Sequence, residues 1–140
     1  MTNAEPMRTI ALRLQPGLDV RQHLEDWAKK ESIRAAVILG AVGSLSNVCL
    51  RFAGQESHTE LAGKHEILTL SGMLSEAGVH LHMSVSDAEG KCTGGHVVYG
   101  CEVYTTLEVA IALLPSVQFH RTFDPATGFK ELSVQNKPLD

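Results

Sequence analysis

The chain predicts an α+β fold in a single domain, and three observations carry that prediction. One segment near the start, residues 19–31, has the apolar spacing of a helix. From Ile33 onward nearly every stretch has the period or composition of strands. The length, 140 residues, is enough for one domain (1–140) to bury a core without staples. Hydrophobic residues make up 44% of the chain and charged residues 20%, a balance that excludes wholesale disorder.

Taken in order, Met7 to Leu14 alternates and reads as a first strand, ended by Gln15-Pro16-Gly17. Asp19 is placed to cap the helix by accepting backbone N–H groups. Val20, Leu24, Trp27 and Ala28 then fall at i, i+4, i+7 and i+8, one apolar stripe opposite Arg21, Glu25, Asp26, Lys29 and Lys30. The run IRAAVILGAVG predicts a central strand covered on both faces, with Gly40 and Gly43 marking a bend or a close backbone approach. Ser44 to Asn47 reads as a turn and VCLRFA as the next strand. GQESHTELAGKH reads as a loop or hairpin connection, and EILTLSGMLS as a long strand.

Val79 to Ser86 gives the strictest alternation in the chain. Val79, Leu81, Met83 and Val85 occupy one face, His80, His82, Ser84 and Ser86 the other. Asp87 to Gly90 supplies a turn, with Gly90 free to take a positive φ. The chain returns through Thr93-Gly94-Gly95-His96, which sets a third histidine on the neighbouring strand. Val103 to Leu114 fits a buried strand, although Leu107 to Leu114 also has the composition of a helix. After Pro115-Ser116 come VQFHRTFD, a turn at Pro125 to Gly128, FKELSVQ as a returning edge strand, and a tail from Asn136 to Asp140.

Charge and targeting features narrow the function. The net charge is −4 with a pI near 5.9, and the only adjacent basic pair, Lys29-Lys30, is followed by Glu31. A nucleic-acid interface ordinarily has a basic stripe, so charge gives DNA binding no support. No apolar run approaches the ~20 residues of a membrane span, and MTNAEPMRTI has neither the basic nor the apolar region of a signal peptide. Cys49, Cys92 and Cys101 are odd in number and lack CxxC spacing, so they read as reduced thiols of a cytoplasmic protein.

His80 and His82, at i and i+2, with His96 on the adjacent strand can close on one metal ion; the bland alternative is a polar strand face in solvent. Three histidines leave a fourth position open, as in catalytic zinc sites, where a water is made acidic. A general base would then be Glu66 or Glu102, judged by residue type alone, against the plainer role of exposed or salt-bridged strand carboxylates. Cys92, four residues before His96, is a conceivable fourth ligand but is left out, because two intervening glycines leave its direction open. Gly94 and Gly95 permit a close backbone approach, to the metal loop or to a neighbouring subunit. His23, His58, His65 and His120 read as ordinary surface residues.

With GAVGSLSNVCLRF, EILTLSGML and HLHMSVSDAEGKCTGGHV in view, the chain resembles the plant-and-prokaryote conserved (PPC) domain family over about Met7 to Gln135. That resemblance implies one helix packed on a mixed, largely antiparallel sheet, assembled as a homotrimer. It implies a zinc site in bacterial members with the His-x-His and Gly-Gly-His pattern, which His80, His82 and His96 match. The apolar runs IRAAVILGAVG and TLEVAIALL exceed what one helix can cover, in agreement with a subunit interface. Plant members bind DNA through an Arg-Gly-Arg-Pro AT-hook that this chain lacks, and free-standing members often carry a DNA-binding label.

The expectation is a cytoplasmic homotrimer with a zinc-like metal, with small-molecule binding or metal-assisted hydrolysis as its activity and no membrane partner. The alternative is a DNA-binding regulatory module without a hook. A cupin is disfavoured, because Glu89 falls in a turn and a helix near the N-terminus does not suit a jelly roll. No nucleophile elbow, phosphate loop or dinucleotide fingerprint occurs.

Overall fold

Alternation of apolar and polar side chains decides most of this chain, because a strand with one buried face needs only a covering layer to be stable. The structure is a computed structural model and describes residues 6–137. In chain order the elements are β1 (Arg8–Leu14), α1 (Val20–Lys30), β2 (Ala36–Arg51), β3 (Thr59–Ser75), β4 (Gly78–Ser86), β5 (Cys92–Val97), β6 (Glu102–Leu113), β7 (Val117–Asp124) and β8 (Phe129–Asn136). Six strands form one sheet in the order β1-β6-β2-β3-β4-β5, and β7 and β8 form a separate two-stranded sheet. Every pairing among the described residues is antiparallel, so the parallel component of a mixed sheet is not found.

The sheet also curls onto itself. β2 pairs with β5 through Leu50↔Val97 and Arg51↔His96, so β2, β3, β4 and β5 form a closed ring of hydrogen-bonded strands. Register shifts in β2 between Ile38 and Gly40, Gly43 and Ser44, and Leu45 and Asn47, with another in β3 between Ile67 and Thr69, supply bends of the kind such a curl requires. The bend expected at Gly40 and Gly43 is thus real. A Cβ on Gly43 would collide with the backbone of Thr106 and Leu107.

The turn expected at Ser44 to Asn47 is instead a bulge inside one long strand. Its polar side chains bond to β6 and the turn that precedes it: Ser44 Oγ donates to Tyr104 O at 2.7 Å and Asn47 Nδ2 to Gly100 O at 2.9 Å. GQESHTELAGKH is only half a loop, since β3 begins at Thr59. Leu107 to Leu113 is strand rather than helix, paired with both β1 and β2. FKELSVQ pairs with β7 alone and is not an edge of the main sheet. Of the expected tail, Asn136 ends β8, while 138–140 lie outside the described residues, as do 1–5 of the N-terminal stretch.

α1 is built as its spacing requires. Asp19 accepts the Gln22 N–H at 2.9 Å as N-cap, and Val20, Leu24 and Ala28 are buried. The second Asp19 oxygen accepts Gly100 N–H at 2.5 Å, and Val20 N–H donates to Cys101 O, so the helix start is tied to the approach to β6. The core behind β4 gathers Leu24, Leu50, Leu81, Val85 and Val97, each fully buried and each contributing ~1.5–3 kcal/mol. β2 is central, but one face is uncovered within the single chain: Leu39 and Val42 are 56% and 68% exposed. Among the described residues no helix is long and apolar enough to cross a membrane.

Candidate metal centre

The histidines stand where the strand period puts them. β4 buries Val79, Leu81, Met83 and Val85 and presents His80 and His82 on its open face. Register does the rest: His82 lies opposite His96 across β4 and β5, and His96 opposite Arg51 across β5 and β2. Residues directly opposite in a ladder share a face, so Arg51, His96 and His82 form one row across three strands, with His80 one step along β4.

The ring centroids are 5.0 Å apart for His80 and His82, 5.1 Å for His80 and His96, and 5.6 Å for His82 and His96. One nitrogen from each lies within 4.8 Å of the other two. Around one tetrahedral zinc the ligand nitrogens are ~3.3 Å apart, so holding an ion would require the three rings to close in from this spread. The donor set, three imidazoles, fits such an ion.

At His96 and His80 the surroundings favour neutral imidazole, the form that binds metal. Burial, followed by Arg51, His80, Arg21 and His82, lowers His96 to about 4. Burial, then His82 and Arg121, lowers His80, with Glu131 acting the other way. The double glycine allows β5 to sit tightly between its neighbours. A Cβ on Gly95 would lie 2.9 Å from Arg51 O, and one on Gly94 3.0 Å from Met83 O. The close approach is thus to β2 and β4 within the same chain.

A cavity of about 440 Å³ opens beside the ledge, bordered by His80 and His96 and by Arg21, Arg51, Arg121, Lys130 and Glu131. Arg21 is held in place from several sides. Its Nε meets Glu25 at 3.0 Å, and its Nη1 donates to Val97 O at 3.0 Å and lies 3.5 Å from His96 Nε2. Tyr99 stacks beneath it at 5.2 Å and donates its hydroxyl to the other Glu25 oxygen at 2.8 Å. Burial lowers Arg121 from its ordinary value, Glu131 opposes this, and Arg21 adds to it. A second cavity of about 430 Å³ borders all three histidines and Arg51 and carries Thr69, Ser71 and Ser84.

The expected carboxylates are not here. Glu66 pairs with Ser86, four residues and ~13 Å along β4 from His82, and Glu102 starts β6 opposite Asn47. Neither borders the cavities around the histidines; the carboxylate that does is Glu131. Cys92 pairs with Ser86 at the far end of β5 and is exposed, outside the histidine cluster. All three cysteines are free thiols, and burial pushes Cys101 up to about 11.

Of the four histidines expected at the surface, His58 is exposed and His23 half-buried. His65 is buried, its Nδ1 2.9 Å from Gly63 O, and His120 has a buried Nε2 without a hydrogen-bond partner among the described residues. Arg21, Arg51, Arg121, Lys130 and Glu131 escaped sequence reasoning. They come from four elements spread over 110 positions, and no spacing links them.

The chain matches the profile of the Plants and Prokaryotes Conserved (PCC) domain, the family written PPC above, over residues 1–115. It is 46% identical over 129 residues to a Bifunctional protein GlmU of Synechococcus, covering 92% of this chain and 20% of that protein. The chain therefore spans about a fifth of the length of this curated relative. Among solved structures, a hypothetical protein from Salmonella is 43% identical with a TM-score of 0.91, over 98% of this chain and 99% of its own. A metal-containing protein from Archaeoglobus fulgidus is 27% identical with a TM-score of 0.79, over 95% of this chain and 98% of its own. A Bacteroides thetaiotaomicron protein provisionally described as DNA-binding shares the fold alone, at 19% identity and a TM-score of 0.79 over 94% of this chain and 98% of its own.

Proposed function

We propose, for a chain that belongs to the Plants and Prokaryotes Conserved domain family, a cytoplasmic homotrimeric metal-binding protein whose His80, His82 and His96 hold zinc and whose metal receives a small molecule. The convergence of three imidazoles on one face, with ligand nitrogens within 4.8 Å, is the observation that carries this reading. The metal-containing relative from Archaeoglobus supports the class of ligand without naming the ion. When bound, zinc on three neutral imidazoles supplies Lewis acidity at an open fourth position.

The chain's own residues serve the site in separable ways. His96 and His80 are kept neutral by burial and by the surrounding cations. Arg21, fixed by Glu25 and Tyr99, presents its Nη1 edge toward His96. Glu131 borders the cavity beside His80 and His96, which supports it over Glu66 or Glu102 as the base of a hydrolytic role. Exposed Leu39, Val42, Leu68 and Tyr104, on the adjacent strands β2, β3 and β6, supply the apolar surface that a trimer would cover.

Elemental analysis of the untagged, dialysed protein checks the reading. Wild type is expected to carry close to one zinc per chain, and the His80→Ala/His82→Ala variant none. Metal-free wild type with unchanged stability would leave the histidines as a polar strand face. Light scattering at micromolar concentration is expected to give three times the chain mass, and a monomer would remove the trimer. The DNA-binding reading predicts a salt-dependent affinity for duplex DNA, and the net charge of −4 disfavours it.

A further inference from the structure

Four of the chain's 12 lysines and arginines border the cavity beside the histidines, against one of its 16 acidic residues. A protein of net charge −4 thus contains a concave site with an excess of three positive charges before any metal is counted. Concentration of cations in a pocket of about 440 Å³, a volume typical for small molecules, is unlike the extended stripe that follows a nucleic-acid backbone. Three of these four cations are not paired with any described carboxylate. Among the described residues the only ion pair is Arg21 with Glu25, which leaves Arg51, Arg121 and Lys130 without a carboxylate within 4.0 Å. Arg51 gives one long bond of 3.4 Å to Gln55 O, and Arg121 has no hydrogen bond to any described residue. Partly buried guanidinium groups in this state are ready to donate paired N–H bonds to an oxyanion.

We infer that this cavity recognises the oxyanion group, carboxylate or phosphate, of a small molecule, with Arg51 and Arg121 as its principal donors and Arg21 and Lys130 adding charge. The inference rests on the metal reading only for what the rest of the molecule meets: the His80 and His96 side of the cavity is where it reaches the metal. Arg51 stands beside His96 in the ladder, and Arg121, on β7, borders the same cavity as His80 and His96, so an oxyanion held in that cavity is adjacent to the ligand set.

Isothermal titration with inorganic phosphate and with succinate tests this on zinc-loaded wild type, Arg51→Gln, Arg121→Gln and His80→Ala/His82→Ala. Metal content and thermal melting are recorded on every sample. At least one probe is expected to bind wild type, and the better of the two tells phosphate from carboxylate chemistry. Each arginine variant should weaken it by about 10- to 100-fold with metal content and melting unchanged. The histidine variant should retain arginine-dependent binding, so an absence of zinc would sink the metal reading while leaving this one standing. Equal affinity in wild type and both arginine variants would overturn the inference, as would no binding of either probe to folded, zinc-loaded protein. Salt-dependent binding of a 12-base-pair duplex with neither small anion bound would overturn it in favour of nucleic acid.

Discussion

The histidine ledge and the hairpin part of the cationic wall are held by the backbone in different ways. His80, His82 and His96 stand on β4 and β5, which are hydrogen-bonded into a ring with β2 and β3 and backed by a layer of buried Leu and Val. Arg121, Lys130 and Glu131 stand on β7 and β8, which pair only with each other. This hairpin is anchored by the buried Phe119, by Phe119 N–H donating to Arg34 O at 3.0 Å, and by a closing bond from Lys137 N–H to Ser116 O at 3.0 Å. A metal site needs ligand positions fixed closely, and a ladder paired on both sides provides that. A wall acting by charge tolerates a looser mounting.

Phe119→Ala should separate the two regions most sharply. Truncating a buried Phe removes about 3–5 kcal/mol of packing, and here the loss falls on the hairpin. Limited proteolysis within 117–136 is expected to accelerate and oxyanion binding to weaken at least tenfold, while zinc content stays near wild type. Zinc lost in step with the anion would mean the two regions are one mechanical unit. Gly95→Ala should damage both together, because its new Cβ pushes on Arg51 O and shifts β5 from β2. About 1–3 kcal/mol of stability is expected to go. Zinc retention after dialysis should also fall, and retention equal to wild type would show that the ledge yields without moving its ligands.

The smallest effect concerns acid. His96 titrates near 4 in the folded chain against an ordinary 6.5, so above 6.5 both states are neutral and nothing is gained or lost. Between those values the unfolded chain takes up a proton that the folded chain does not, and stability falls as the pH drops through the window. Denaturation of metal-free wild type beside His96→Gln, from pH 7 to 4.5, should show a steeper decline for wild type. Parallel curves would remove the burial and neighbouring cations as a cause.

How much of this could be read from the sequence follows the same division. The strict alternation from Val79 to Ser86 put two histidines on one face, and the turn at Asp87 to Gly90 with the double glycine brought the third opposite. The helix was equally legible, from Asp19 and a four-residue apolar stripe. Ser44 to Asn47 misled because serine and asparagine favour turns until neighbouring backbone offers their side chains better partners, here Tyr104 O of β6 and Gly100 O just before it. The apolar run IRAAVILGAVG read as more surface than one helix can cover, and Leu39 and Val42 are indeed exposed in the single chain, but apolar composition does not say what covers them. The wall was illegible: Arg21, Arg51 and Arg121 meet only through the curl of the sheet and the docking of the hairpin. Glu66 and Glu102, chosen by residue type, lie away from the cavities that border the histidines, while Glu131 borders one of them from β8, a placement no spacing announces.

The hairpin's position in the chain has a consequence for how such a protein changes over time. Residues 117–136 lie beyond the stretch that matches the family profile, 1–115, and the connection to β6 is the short Leu114-Pro115-Ser116 segment. Exchange of that segment by recombination would replace Arg121, Lys130 and Glu131 at a stroke and leave the three imidazoles untouched. Substitutions confined to that segment can therefore alter three of the charges that border the cavity without touching β4 and β5, on which the three imidazoles stand.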